Sequence, residues 1–382
     1  MFFYRLGHIP ELATAEFISL TNSKNFKFNS QFLISSSDLD ISKTGSLVYK
    51  GNVFGNCTDT ESIVKCLYEL YQSKPSKKLG ISINAEINSK ELIKIAKEIG
   101  FKKINLLIGK EPNAGHFKDI SDWVVVFDFY GETTIAVITD SVNQDIFSNL
   151  DMGLPGGNMK RGKMNLKLAL SLLNLADNKN SFYWDPFVGQ GGLVLIDLLF
   201  NQKPIVATDF DRTAIRDMRL NLDWISKKYP DVRVDKNVLH IEKMDAATLA
   251  KSSLDSNLKG VSKKINQKFD FNQTAIVTEG FLGPVYGFEN PTRKTLESNL
   301  EEIQTLWRNV FSECQKLEIP EIVFCLPAYK VGSSDILRVD IDKSLTGLDY
   351  KLMELNPGKY FVDYSRAKSK VIHQIQKVIL SV

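Results

Sequence analysis

The stretch Asp185-Pro186-Phe187-Val188-Gly189-Gln190-Gly191-Gly192 follows the apolar run Phe182-Tyr183-Trp184 directly and precedes a helix-like run from Leu193 to Phe200. A glycine-rich joint between a buried strand and an apolar helix constrains the fold more than any other part of the chain. Glycine has no Cβ, so the backbone can turn sharply from strand into helix and lie flat against a ligand that bulkier residues would hold off. Asp185 refines this reading. A loop shaped for a pyrophosphate presents amide N–H groups and a helix N-terminus, with no carboxylate in the way. A carboxylate at the strand end suits a cationic ligand instead.

The following residues repeat the strand-and-acid pattern. Pro204 to Thr208 reads as a second buried strand ending at Asp209, with Asp211 close behind. Their spacing from the glycine loop, about 20 residues, is that of an acid that hydrogen-bonds ribose hydroxyls. Val238 to Ile241 reads as a third strand, followed by Asp245-Ala246, where a carboxylate could accept from an adenine amino group. Each acid alone reads as a turn or helix-cap residue. Three at successive strand ends read together as a nucleoside-type site. The loop residues Asp185, Pro186, Phe187, Gly189, Gly191 and Gly192, with Asp209, Asp211, Asp245 and Ala246, are its candidate cofactor residues. S-adenosylmethionine, with its sulfonium and amino group, carries the charge that Asp185 suits.

The fourth strand, Thr274 to Val277, runs into Thr278-Glu279-Gly280-Phe281. The order Asp-Pro-Phe-x-Gly-x-Gly-Gly, Thr-Asp-x-Asp, Asp-Ala and an aromatic-bearing strand-end tetrapeptide resembles the class I amino-methyltransferases of nucleobases. Within these it is most similar to the THUMP-containing tRNA guanine-N2 methyltransferases. The family tetrapeptide reads Asp/Asn-Pro-Pro-Tyr/Phe. Its acid or amide and a backbone carbonyl accept hydrogen bonds from the target amine, and its aromatic ring stacks on the base. Here Thr278 stands at the acid position, Glu279 and Gly280 replace the prolines, and Phe281 keeps the aromatic. Extended neighbours point to opposite faces, so Thr278 and Glu279 cannot both replace the acid. Glu279 is the stronger acceptor and Thr278 has the matching register. The expected catalytic set is Glu279 with help from Thr278, and Phe281 for stacking. Two other readings stay open, a core aromatic for Phe281 and a surface turn residue for Glu279.

The resemblance extends across the chain through Tyr4 to Glu16, Leu79 to Leu107, Ser141 to Ile146 and Tyr364 to Val371. It implies a ferredoxin-like and THUMP-like RNA-binding region over residues 1–150 and a linker over 151–164. A Rossmann-like α/β methyltransferase domain would then fill 165–382. The breaker cluster Asp151 to Gly157 marks the boundary, and Leu166, Ala169, Leu170 and Leu173 predict a helix beyond it. Strand and helix then alternate through Ile322 to Leu326, the pattern of an open, mostly parallel sheet with its ligand at the strand carboxyl ends. The run Lys294 to Leu317 predicts a long helix crossing behind that sheet. At 382 residues the chain is too long for one ordinary core.

Charge discriminates less. The formal net charge is +3, from 48 basic and 45 acidic residues, short of a strongly basic protein. Asn158 to Lys167 holds four cations and no acid, so Lys160, Arg161 and Lys163 are candidates for gripping RNA phosphates, with a solvated linker as the alternative. The Ser/Asn/Lys-rich segment Lys259 to Lys268 reads as a flexible insertion. No run reaches the roughly 18 apolar residues of a membrane span, and Met1 to Arg5 lacks a signal-peptide basic region, so a cytoplasmic protein is expected. Cys57, Cys66, Cys314 and Cys325 form no Cys-x-x-Cys pair and suggest neither metal nor disulfide framework.

The implied reaction is direct methyl transfer from S-adenosylmethionine to the exocyclic amine of a flipped base, forming N2-methylguanosine in tRNA. An N6-adenine-type enzyme on DNA or other RNA is the alternative, and a non-catalytic RNA-binding subunit with a retained pocket is the other. The sequence leaves open the target nucleotide, the number of methyls added, a small activating protein partner and the oligomeric state.

Overall fold

The computed structural model describes all residues except 74–78, 99–103, 113–115, 118–121, 157–162, 252–268, 285–290, 333–334, 367–368 and 382. Cα proximity divides the chain into two units. One comprises Met1–Thr14, Thr21–Ser42 and Ser46–Ile146, and the other Ala15–Leu20, Lys43–Gly45 and Phe147–Val382.

The first unit is built on β1 (Phe2–Leu6), β2 (Phe26–Phe28), β3 (Phe32–Ser35), β4 (Leu47–Cys57), β5 (Leu79–Asn84), β6 (Ile104–Ile108), β7 (Asp122–Phe129) and β8 (Glu132–Ser141). They form one sheet in the order β2-β3-β1-β4-β8-β7-β5-β6, parallel only where β5 meets β6 and β7. The run Trp123-Val124-Val125-Val126-Phe127 shows why it is continuously apolar. Alternate residues face alternate sides, so Val124 and Val126 join Ile63, Leu67, Ile81 and Leu92, while Trp123, Val125 and Phe127 join Phe3, Phe32 and Tyr49. Cys57 and Cys66 are free thiols with sulfurs 3.5 Å apart.

The second unit's sheet uses β9 (Phe182–Asp185), β10 (Ile205–Asp209), β11 (Val238–Lys243), β12 (Thr274–Val277), β13 (Glu321–Val331), β14 (Asp335–Arg338), β15 (Tyr350–Leu352), β16 (Phe361–Tyr364) and β17 (Val371–Leu380). Its main path is β11-β10-β9-β12-β13-β17-β15. The first five strands are parallel, and β17 is antiparallel to both β13 and β15. Strand order therefore reverses at β9 and β12, the switch point where open α/β sheets leave a crevice at their carboxyl ends. The helix Arg293–Lys316 buries Leu296, Leu300, Ile303, Trp307, Val310, Phe311 and Cys314, a stripe at three- and four-residue spacing. That stripe packs on Phe182, Trp184, Ile276, Ile322 and Phe324 of the sheet.

Two sequence expectations are adjusted. The helix Gln144–Gly153 runs through Asp151 and Met152, so the breaker cluster acts only from Leu154. A Cβ at Gly153 would lie 2.5 Å from Cζ2 of Trp224, so this glycine provides room for the indole rather than ending the helix early. Strand β13 continues past Leu326 to Val331, because β14 supplies it with a partner over Ala328 to Val331. The helix Leu166–Leu175 forms as its leucine spacing predicts, with Asn165 as cap. Residues 259–268, read as a flexible insertion, lie outside the described residues. No described helix is long and apolar enough to cross a membrane.

Candidate active site

A cavity of about 680 Å³ opens at the carboxyl ends of the second unit's parallel strands, a size ordinary for small-molecule sites. It is lined by Asp185, Pro186, Phe187, Gly189 and Gly192 of the glycine loop, by Asp209 and Asp211, by Asp245 and Ala246, and by Glu279 and Phe281. The structure thus brings together acids from four strand ends that the sequence separates widely.

The loop leaves β9 and enters the helix Gly192–Phe200 through Gly191, whose φ of +87° is in the left-handed region that favours glycine. Gly191 is not itself on the cavity wall. It shapes the turn. The helix behind it, Leu193 to Leu198, is buried on every side and fixes the loop from below. Two polar residues hold the loop from the flanks. Asp209 accepts from the Gly189 amide at 2.8 Å and the Asp211 amide at 2.8 Å. Asn221, fully buried on the helix Arg212–Lys228, donates to the Gln190 carbonyl at 2.9 Å and pairs with both backbone groups of Gly156. Nothing in the sequence marked Asn221, because its partners are backbone groups distant along the chain.

Asp185 is 2% exposed and accepts from the Phe187 amide at 3.1 Å. Burial pushes its carboxyl up to about 7. Hydrogen bonds from the Thr278 hydroxyl and the Phe187 amide oppose that rise, while the Asp209 and Glu279 carboxylates add to it. This fixes the place of Thr278. It is fully buried, off the cavity wall, supporting Asp185, and its Oγ1 accepts from the Gly280 amide at 3.0 Å. The chain then bends at Gly280, with φ of +71°, and a Cβ there would lie 2.6 Å from the Trp307 ring. Glu279 consequently reaches the cavity where Thr278 does not.

Asp211 lines the cavity and also caps the helix Arg212–Lys228 by accepting from the Thr213 amide at 2.7 Å. Asp245 is exposed and accepts from the Ala247 amide at 2.9 Å, with Ala246 buried beside it. Phe187 packs into the core against Trp307, ring centroids 5.7 Å apart. Phe281 is 44% exposed, held on a segment whose Leu282 carbonyl accepts from Tyr329 at 2.9 Å. Its exposure sets it apart from a core aromatic.

Of the basic candidates, Lys160 and Arg161 lie outside the described residues. Lys163 lines the cavity, but its ammonium is 3.3 Å from the Asp151 carboxylate and 2.7 Å from the Asp151 carbonyl. Two further residues were not foreseen. Phe210, 66% exposed, forms part of the wall with the Lys243 ammonium 5.1 Å from its ring centroid. His373 on β17 places Nε2 3.0 Å from Oε1 of Glu279. The cavity wall therefore carries five described carboxylic acids, Asp185, Asp209, Asp211, Asp245 and Glu279, four of which accept from backbone amides, while Glu279 lies beside His373. Such a wall favours a ligand bearing positive charge and hydroxyl donors.

No protein-family model and no curated protein matches the chain. Among solved structures, TrmN from Thermus thermophilus superposes with a TM-score of 0.52 at 14% identity, covering 100% of this chain and 99% of that one. A possible methylase from Clostridium difficile 630 reaches a TM-score of 0.49 at 12% identity, covering 100% of this chain and 98% of that one. At these identities the likeness is one of fold. The chain has an α/β Rossmann-like fold, shared with the TrmN structure, preceded in sequence by an α+β N-terminal module.

Proposed function

We propose that the protein is an S-adenosylmethionine-dependent RNA methyltransferase that forms N2-methylguanosine in tRNA. The observation that carries this reading is the acid-lined cavity at the switch point, with an exposed aromatic, Phe281, two residues beyond a carboxylate on its wall. The donor set fits the cofactor. Asp185 suits its ammonium, Asp209 at the end of β10 suits ribose hydroxyls, and Asp245 suits an adenine amino group. When bound, that cofactor supplies an electrophilic methyl group.

The chain's own residues then have to present the nucleophile. The exocyclic amine of guanine is weak because its lone pair is delocalised into the ring, so orientation supplies much of the acceleration. Phe281 would stack on a base taken out of its own stack, at a cost of a few kcal/mol offset in part by roughly 1–3 kcal/mol of stacking. Glu279 would accept a hydrogen bond from the amine and keep its lone pair directed. The residue 1–150 region would hold the tRNA by shape and backbone, and residues 165–382 would carry the transfer. The linker 151–164 would add phosphate contacts through Lys160, Arg161 and Lys163. Since Lys163 is paired to Asp151, its contribution requires exchange of that partner.

Incubation with isotopically labelled S-adenosylmethionine and unmodified tRNA, followed by nucleoside mass spectrometry, tests this directly. Label in N2-methylguanosine is expected. Label in N6-methyladenosine moves the assignment to the adenine-type enzyme, and cofactor binding without any labelled nucleoside contradicts catalysis.

A further inference from the structure

Glu279 poses a problem of aim. A glutamate has one more rotatable bond than an aspartate and loses correspondingly more freedom when fixed. The register position expected to hold the acceptor belongs to Thr278, which is fully buried and committed to Asp185 and the Gly280 amide. An acceptor shifted one residue along the chain, with a longer side chain, needs a second contact to give it one geometry.

His373 provides that contact. It sits on β17, opposite Pro327 of β13 and Tyr364 of β16, and its Nε2 is 3.0 Å from Glu279 Oε1. The Tyr364 ring meets the imidazole edge to face, with centroids 5.8 Å apart at 77°, which limits rotation of the histidine ring. The two side chains are 16% and 22% exposed, so water competes little for the bond. The other ring nitrogen, Nδ1, is buried with no hydrogen-bond partner among the described residues. Burying a bare acceptor costs less than burying an unpaired N–H, so the proton belongs on Nε2, on the side facing the Glu279 carboxylate.

We infer that His373 is a positioning residue that aims Glu279 at the exocyclic amine of the acceptor base. The inference rests on the methyl transfer proposed above. The Nε2 contact is made to Oε1 and leaves Oε2 for the amine. As the new N–C bond forms, the amine's N–H proton passes to Glu279 and its bonding pair stays on nitrogen. The S–C bonding pair of the donor stays on sulfur. A positive sulfonium and a negative carboxylate are thereby neutralised together. Misplacement of such a group by about 1 Å costs on the order of a hundredfold in rate.

The test uses the full chain with His373→Ala, His373→Gln, Glu279→Gln and the double variant Glu279→Gln/His373→Ala. Single-turnover methyl transfer, calorimetric affinity for S-adenosylmethionine and urea denaturation are measured on each. His373→Ala should slow transfer by about 10- to 100-fold while leaving cofactor affinity within about twofold. His373→Gln, which keeps an N–H donor, should recover much of that loss. The double variant should be no slower than the slower single variant, and the urea cycle should show coupling between the two positions. Undiminished transfer by His373→Ala, a parallel loss of cofactor affinity, or multiplicative effects in the double variant would overturn the inference. So would additive stabilities, because they mean the pair does not form. Absence of transfer by the wild type overturns the proposed function together with the inference, whereas wild-type transfer that is undiminished in His373→Ala overturns the inference alone.

Discussion

The two ends of the second unit's sheet treat buried acids differently. At the amino end, Glu321 begins β13, is 3% exposed, and accepts from the Asp177 amide, the Asn180 side chain and the Lys377 ammonium. At the carboxyl end, Asp185, Asp209, Asp211, Asp245 and Glu279 surround one cavity and are held by backbone amides, Thr278 and His373. The first arrangement closes on itself, with charge neutralised inside the fold. The second gathers negative charge around an opening. The proposed ligand site lies at the second of these two ends.

The largest expected effect comes from breaking the closed end. Lys377→Ala leaves Glu321 buried without its cation and should cost about 3–5 kcal/mol in urea denaturation. Cofactor affinity per folded molecule should stay unchanged. A stability loss within experimental error would mean the amino-end pair is not the structural anchor described here.

At the open end the expected effect falls on binding. Asp209→Ala removes an acceptor used by the Gly189 and Asp211 amides as well as by the proposed ribose. Charged hydrogen bonds contribute roughly 1.5–3 kcal/mol each, so affinity for S-adenosylmethionine should drop by at least about tenfold in calorimetry.

Two buried aspartates sharpen the comparison through pH. Burial pushes Asp197, near the amino-end Tyr183, up to about 8, with Lys203 pulling it back, and pushes Asp185 up to about 7. Each is raised above its ordinary value of 3.8, so the folded protein binds the proton more tightly than the unfolded chain. The resulting stability is fully present below about 4 and is lost as pH rises toward the folded value, by up to roughly 1.4 kcal/mol per pH unit for each group. Asp197→Asn and Asp185→Asn should both flatten that fall. Only Asp185→Asn should weaken cofactor binding. Equal binding by the two variants would remove the distinction between the ends.

Phe281→Ala should have the smallest effect on folding, about 0.5 kcal/mol or less, since the ring is 44% exposed. Its effect should appear as slower methyl transfer at unchanged cofactor affinity. A stability loss of several kcal/mol would return Phe281 to the core.

Much of this site was legible because its parts are local. The joint Asp185–Gly192 combines strand, turn and helix signals within one short stretch, and Asp209 and Asp245 each follow a recognisable apolar strand. The place of Asp211 was less legible, since an acid after a strand caps a helix and lines a cavity with the same sequence signature. Thr278 and Glu279 could not be separated by alternation alone. Their different placements depend on the bend at Gly280 and on the packing of Trp307 beneath it. Asn221 and His373 were invisible for a different reason. Their partners, the Gln190 carbonyl and Glu279, are brought to them only by the folded sheet and its flanking helix.

The central claim is that the acids at the carboxyl end form a site for a cationic nucleoside. Calorimetric titration of S-adenosylmethionine into the wild-type chain and into Asp209→Ala tests it most directly. One saturable site in the wild type, weakened by at least about tenfold in the variant, is the expected result. No heat of binding in the wild type, or equal affinity in both proteins, would contradict it.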